Sequence, residues 1–198
     1  MPRKYILILF ALVVVISGAM YLFLPNPIPS EANAERTPPL EEEWKPFSSK
    51  RFTVDLPSQP HHAHETSTTP DSSDKIGYDM YVTQSRLGTT YMINVIEYPP
   101  SFSTEPSEPI LTGILNDILS GNDSNQVMHK ELGSFSDYPS IEFVLSNTQG
   151  NLRVRAFLRD QTLFILSVAD TDIDTLDHTF ARFVDSFRLL ESAQESGQ

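Results

Sequence analysis

Between Asn125 and Ala169 the chain passes through four β-rich segments with almost nothing between them. They read as Asn125 to Phe135, Ser140 to Thr148, Asn151 to Arg159 and Thr162 to Ala169. The links hold Asp137-Tyr138-Pro139, Gln149-Gly150 and Asp160-Gln161, turn-forming residues too few to cross a sheet. A parallel pairing needs a crossover of about a dozen residues or more, so these neighbours are antiparallel.

The same pattern reading fills in the rest of a domain over 48–190. Arg51 to Leu56 alternates, with Phe52, Val54 and Leu56 on one face, and Pro57 ends the run. A polar stretch from Ser58 to Lys75 is too long for a tight turn and has room for a short edge strand near His64 to Thr68. Ile76 to Gln84 and Thr89 to Tyr98 follow as a hairpin across Ser85-Arg86-Leu87-Gly88. Next comes a helix capped by Ser107, with Glu108 and Pro109 in its first turn and Gly121 as its stop. Leu111, Ile114, Leu115, Ile118 and Leu119 share its apolar face. A last helix is expected over Ile173 to Leu190, apolar along Ile173, Leu176, Phe180, Phe183, Val184 and Phe187. Strands, helix, meander, helix is the order of an α+β fold, an antiparallel sheet with helices packed on it. Twelve Phe and seven Tyr supply enough ring area for its core.

Ahead of the domain, Tyr5 to Leu24 is free of charge and of proline. Its twenty residues reach ~30 Å as a helix, the thickness of a hydrocarbon core. Arg3 and Lys4 stand on its N-terminal side, which predicts that end in the cytoplasm and the remainder outside. An N-terminal transmembrane anchor over 1–24 is therefore expected, placing the protein as a single-pass protein of a bacterial inner membrane. The alternative is a secreted chain cleaved near Ala34, although an apolar run this long exceeds the usual ~7–15 residues of a signal peptide. A spacer rich in Pro and Glu over 25–47 follows, with Trp44 expected to pack on the domain edge. Residues 191–198 read as a disordered tail.

Several segments together resemble the PsbP-like superfamily, which also takes in the Ran-binding Mog proteins and DcrB-like bacterial envelope proteins. They are Phe52-Thr-Val-Asp-Leu-Pro57, the strand from Tyr91 to Pro99 before a long helix, the paired strands around Arg153 to Leu158, and the closing Arg182-Phe-Val-Asp-Ser-Phe187. The resemblance implies an α/β/α sandwich around an antiparallel sheet. It implies binding, assembly or stabilising roles and no catalytic site.

The formal net charge is −12, and the two cations before the apolar run make the remainder more acidic still. Such a chain is repelled by phosphate backbones, so no nucleic-acid partner is expected. With no cysteine there is no disulfide, thiolate metal site or Cys nucleophile. His61, His62 and His64 form an H-H-x-H cluster that could bind zinc or copper, with Asp71 or Asp74 as a further ligand, though a solvated loop is the plainer reading. Arg153, Arg155 and Arg159 share one strand face with Phe157, and Glu142 on the preceding strand has the same parity. That face is either a paired, solvated one or a patch for an anion or a protein partner. Asp170, Asp172 and Asp174 open like a calcium loop, but Thr175 and Ala181 break its pattern, which leaves helix capping. Ser72 and Lys75 match S-x-x-K without the companion motifs. His129 and His178 stand alone, and His178, between Leu176 and Phe180, reads as packed or capped rather than catalytic.

The expectation from sequence is thus a non-enzymatic, membrane-anchored, extracytoplasmic binding or scaffolding module that needs no cofactor. Its partner would be another envelope protein; a small-ligand or metal sensor or carrier is the alternative.

Overall fold

The structure is a computed structural model that describes residues 43–68 and 74–190. The expected anchor, the spacer up to residue 42, residues 69–73 with Asp71 and Ser72, and the tail 191–198 lie outside the described residues. Among the described residues no helix is long and apolar enough to cross a membrane.

Ten strands and two helices are described. β1 (Lys45–Ser48), β2 (Phe52–Leu56) and a short β10 (Arg188–Leu189) form a three-stranded sheet with β2 in the middle. β3 (His61–Thr68), β4 (Lys75–Gln84) and β5 (Thr90–Glu97) precede helix α1 (Glu108–Ser120). The meander follows as β6 (Gln126–Phe135), β7 (Tyr138–Asn147), β8 (Gly150–Arg159) and β9 (Thr162–Asp170), then helix α2 (Ile173–Ser186). The large sheet has seven strands in the order β3-β4-β5-β9-β8-β7-β6, every pair antiparallel. α1 carries the chain from β5 to the far edge, and the meander walks back until β9 pairs with β5.

Strand alternation gives the large sheet two apolar faces, each with its own cover. On one, Phe143, Val154, Ala156 and Ile165 lie under Leu111, Ile114 and Leu115 of α1. On the other, Tyr91, Phe157, Phe164 and Leu166 lie under Phe180, Phe183 and Val184 of α2 and Phe52, Val54 and Leu56 of β2. The expected sheet with a helix on each side is what forms, with the small sheet added beside α2.

Several boundaries move for physical reasons. Ser136 and Asp137 both have positive φ, 50° and 69°, so the β6–β7 link is a two-residue primed turn matching the twist of its strands. Tyr138 and Pro139, expected in that turn, therefore begin β7. Pro139 precedes the first β7–β8 pair, Ser140 with Phe157, so its missing N–H costs the ladder nothing. The last helix stops at Ser186, short of Leu190. Phe187 turns extended (ψ 129°), stacks on Phe52 at 5.1 Å, and lets Arg188 and Leu189 pair with β2. Ser107 already has helical angles and makes no side-chain cap. The acids before α2 do cap: Asp172 accepts from the Asp174 N–H and, at 2.7 Å, from the Thr175 hydroxyl. The domain also starts earlier than Ser48, since β1 begins at Lys45 and Trp44 meets Tyr91 edge-on at 5.2 Å.

Candidate functional site

Three features of the surface carry chemistry: an arginine strip, a histidine pair and an exposed edge.

Register places Arg155 directly opposite Glu142 and Arg153 opposite Val144, all on the α2 face. Arg153 donates to Glu142 Oε1 from Nε at 3.0 Å and from Nη2 at 2.5 Å, and its Nη1 reaches Asp177 of α2 at 2.5 Å. Arg155 donates to Glu142 Oε2 from Nε at 2.7 Å and also from Nη2. One carboxylate is thus clamped by two guanidinium groups, one per oxygen. Both guanidinium groups also lie over Phe180, at 4.8 Å and 5.9 Å, and Arg155 lies over Phe135 at 5.3 Å. Burial works against the Arg153 charge, but the bonds and charges of Glu142 and then Asp177 outweigh it, so its pKa rises above the ordinary arginine value. Arg159 stands apart from this clamp; it donates to the Leu190 carbonyl at 3.1 Å and lies 5.9 Å from the Tyr138 ring. The strip is mainly an internally paired face that ties β7, β8 and α2 together.

His61, His62 and His64 sit on β3, an edge strand that begins at His61, where a loop was expected through Ala63. Alternation opposes His61 to Val82, on one face, and His62 and His64 to Tyr81 and Asp79, on the other. His62 Nε2 and His64 Nδ1 both donate to Asp79 Oδ1, at 2.8 Å and 3.0 Å. A carboxylate only accepts, so both nitrogens carry protons there. His62 also stacks on Tyr81 at 4.4 Å. The structure therefore joins two of the three histidines through Asp79 and turns the third away. Among the described residues, no group of three or more His, Asp or Glu side chains is arranged to hold a metal ion. Asp79 was invisible as a partner in the sequence because the β3–β4 register could not be read across a long polar link.

The other lone histidines are exposed. His178 is on the outer side of α2, since Leu176, Phe180, Phe183 and Val184 define the buried one. His129 lies on β6, 3.7 Å from Glu131.

β6 is the third feature, and no motif in the chain pointed to it. All its residues from Gln126 to Ser134 are exposed. Val127, Met128 and Leu132 are 44%, 65% and 43% exposed, although each is a large apolar side chain. The alternation of β6 is too weak to show which side would be covered. The strand ends the seven-stranded sheet, so one row of its N–H and C=O groups points outward.

At the level of sequence, neither a protein-family model nor a curated protein matches this chain. At the level of structure, a seven-stranded antiparallel sheet with a helix on each face defines it as a protein of PsbP-like fold. One similar solved structure is cyanobacterial PsbP (CyanoP) of Synechocystis, with a TM-score of 0.51 and 7% identity over 79% of this chain and 98% of that one. A Pseudomonas aeruginosa protein of unknown function, described as a candidate regulator, aligns at a TM-score of 0.36 and 8% identity over 70% of this chain and 90% of its own. At such identities the likeness is one of fold alone.

Proposed function

We propose that this chain is a non-enzymatic, membrane-anchored binding or scaffolding module whose domain lies outside the cytoplasm, and that β6 is where a protein partner is seated. The observation that carries the reading is the ten-residue edge strand with Val127, Met128 and Leu132 exposed. An extended partner can add to an exposed edge strand through main-chain hydrogen bonds, with alternate side chains giving selectivity. The PsbP-like fold supports a binding role by analogy. The apolar run over 5–24 and its two preceding cations support the anchor and its orientation.

Two experiments test this. A reporter fused after Gln198 should be active in the envelope space and silent in the cytosol; the reverse result removes the proposed address. A photo-crosslinking residue at Met128 of the full chain, in intact cells, should give a discrete protein adduct. The same residue at Leu87, an 81% exposed hairpin residue far from β6 in the sheet order, should not. Equal or absent capture at both positions ends the binding-edge reading.

A further inference from the structure

Resting on the reading of β6 as the binding edge, we propose that Asp117 is a proton-operated latch. Its charge state sets how firmly the last turn of α1 is seated and, through Asn125, how firmly the start of β6 is held.

Asp117 occupies a position that suits an apolar residue. It follows Ile110 by seven residues and Ile114 by three, so it falls on the side of α1 where those two are buried. Its Oδ2 is buried with no hydrogen-bond partner among the described residues. The strands under α1 present Phe143, Leu145, Val154 and Ala156 to the helix, none of which can carry charge. The ionisable groups on its side are Tyr98, which follows β5, and Tyr78 of β4. Burial first, then Tyr78 and Asp117, raise the Tyr98 hydroxyl, and burial and then Glu65 raise that of Tyr78. Both stay neutral phenols where Asp117 changes charge. The last turn of α1 holds no basic residue, and Asp123 in the link beyond it is exposed. Burial lifts the Asp117 carboxyl from 3.8 to about 6, so its seat is intact at lower pH and is weakened as pH rises through that value. Above it, an unpaired carboxylate at the negative end of the helix dipole gains water only if the last turn lifts.

That turn is joined to β6 by side chains. Asn125, the residue before β6, donates from Nδ2 to the Ile118 carbonyl at 2.8 Å, and its Oδ1 accepts from Asn147 Nδ2 at 2.8 Å. Asn147 Oδ1 in turn accepts from the backbone N–H groups of Gln149 and Gly150, at 2.8 Å and 3.2 Å. One asparagine therefore ties the helix end to the β7–β8 turn at the very start of the edge strand. Ile118 is the neighbour of Asp117, so a turn that lifts to hydrate the carboxylate draws the Ile118 carbonyl away from Asn125. Just beyond lie Val127 and Met128, exposed and beside the bulge, with β7 as their one partner strand. Ionisation of Asp117 thus loosens the end of the edge that offers most apolar surface.

Hydrogen exchange of the full chain in detergent tests this, read by mass on peptides spanning 116–129 and corrected for the intrinsic pH dependence of exchange. From about pH 5 to about pH 7.5, protection of that segment should fall about threefold or more while β8 and β9 stay protected. Asp117→Asn should keep the segment protected at both values. His129→Gln, which changes an ionisable side chain on β6 itself, should leave the fall as it is. Asn125→Ala should expose 125–129 at both values yet leave 116–121 dependent on pH. Four results would each overturn the proposal: unchanged protection in the natural chain, a fall that survives Asp117→Asn, an equal fall in β8 and β9, or no effect of Asn125→Ala on β6. The measurement needs no partner, so the latch can fail while a Met128 adduct stands, and a missing adduct leaves the latch in place.

Discussion

Glu142 and Arg155 stand opposite one another in the β7–β8 ladder, and the Arg155 Nε–H donates to Glu142 Oε2 at 2.7 Å. The other carboxylate oxygen is held by Arg153, whose free end reaches Asp177 on α2. The Glu142 side chain is only 13% exposed, so removing it leaves Arg155 without its carboxylate and Arg153 with Asp177 alone, both partly buried. Glu142→Ala should cost about 2 kcal/mol, below the ~3–5 of a fully buried pair because both arginines keep some solvent. Urea unfolding of Glu142→Ala beside Glu142→Gln would measure it. A loss under about 0.5 kcal/mol would show that the clamp contributes no stability.

Phe187 joins the two sheets. It is buried, stacks on Phe52 at 5.1 Å and meets Phe157 and Phe164 edge-on at 5.9 Å and 6.1 Å. Phe187→Ala should destabilise by about 3–5 kcal/mol, as large-to-small aromatic changes in cores do. Phe187→Leu should recover more than half of that, since most of the volume returns. Thermal unfolding of the two variants gives the comparison.

Two carboxylates should shape the pH dependence of stability with opposite sign. Burial raises Asp117 from 3.8 to about 6. Its Oδ2 is buried with no hydrogen-bond partner among the described residues, and it sits in the last turn of α1, where the helix dipole disfavours negative charge. A raised folded pKa means its contribution is complete below pH 3.8 and is lost as pH rises through about 6. Asp117→Asn should therefore stabilise at pH 7–8, by about 1 kcal/mol once partial solvent access is discounted, and have no effect near pH 3. Asp172 behaves in reverse. The Thr175 hydroxyl and the Asp174 N–H lower its pKa below 3.8, so its capping is complete above that value and fades as pH falls through the lowered one. Asp172→Ala should lower Tm at neutral pH and converge with the natural chain in strong acid. Denaturation curves across pH 2–8 would resolve both trends.

Gly150 begins β8 with φ at +148°, and a Cβ there would lie 2.8 Å from the Asp170 carbonyl oxygen. That neighbour is backbone and cannot swing aside. Gly150→Ala should cost about 2 kcal/mol, combining strain with displacement of the β8–β9 end. Gly133→Ala, with open space around it, should stay within about 0.5 kcal/mol. Parallel urea titrations of the two variants suffice.

The periodicities decided most of the architecture before any tertiary contact was known. Apolar alternation in β2 and along much of β8, the near-continuous apolar runs of β5, β7 and β9, and the apolar stripes of α1 and α2 are local properties, set by where successive Cβ atoms point. The parity of Glu142 with the arginines was legible for the same reason, because a short turn fixes the register of its two strands. Asp177, 24 residues from Arg153, was not legible, since it joins the strip only once α2 is laid on the sheet. Asp79 became the meeting point of His62 and His64 only through a pairing that spans 15 and 17 residues. The end of α2 at Ser186 likewise depended on Phe52 and β2, more than a hundred residues earlier, which reward an extended Phe187 over another helical turn. Local pattern specifies elements because it needs only neighbours along the chain. Partners across the chain depend on register and docking, which no single stretch of sequence contains.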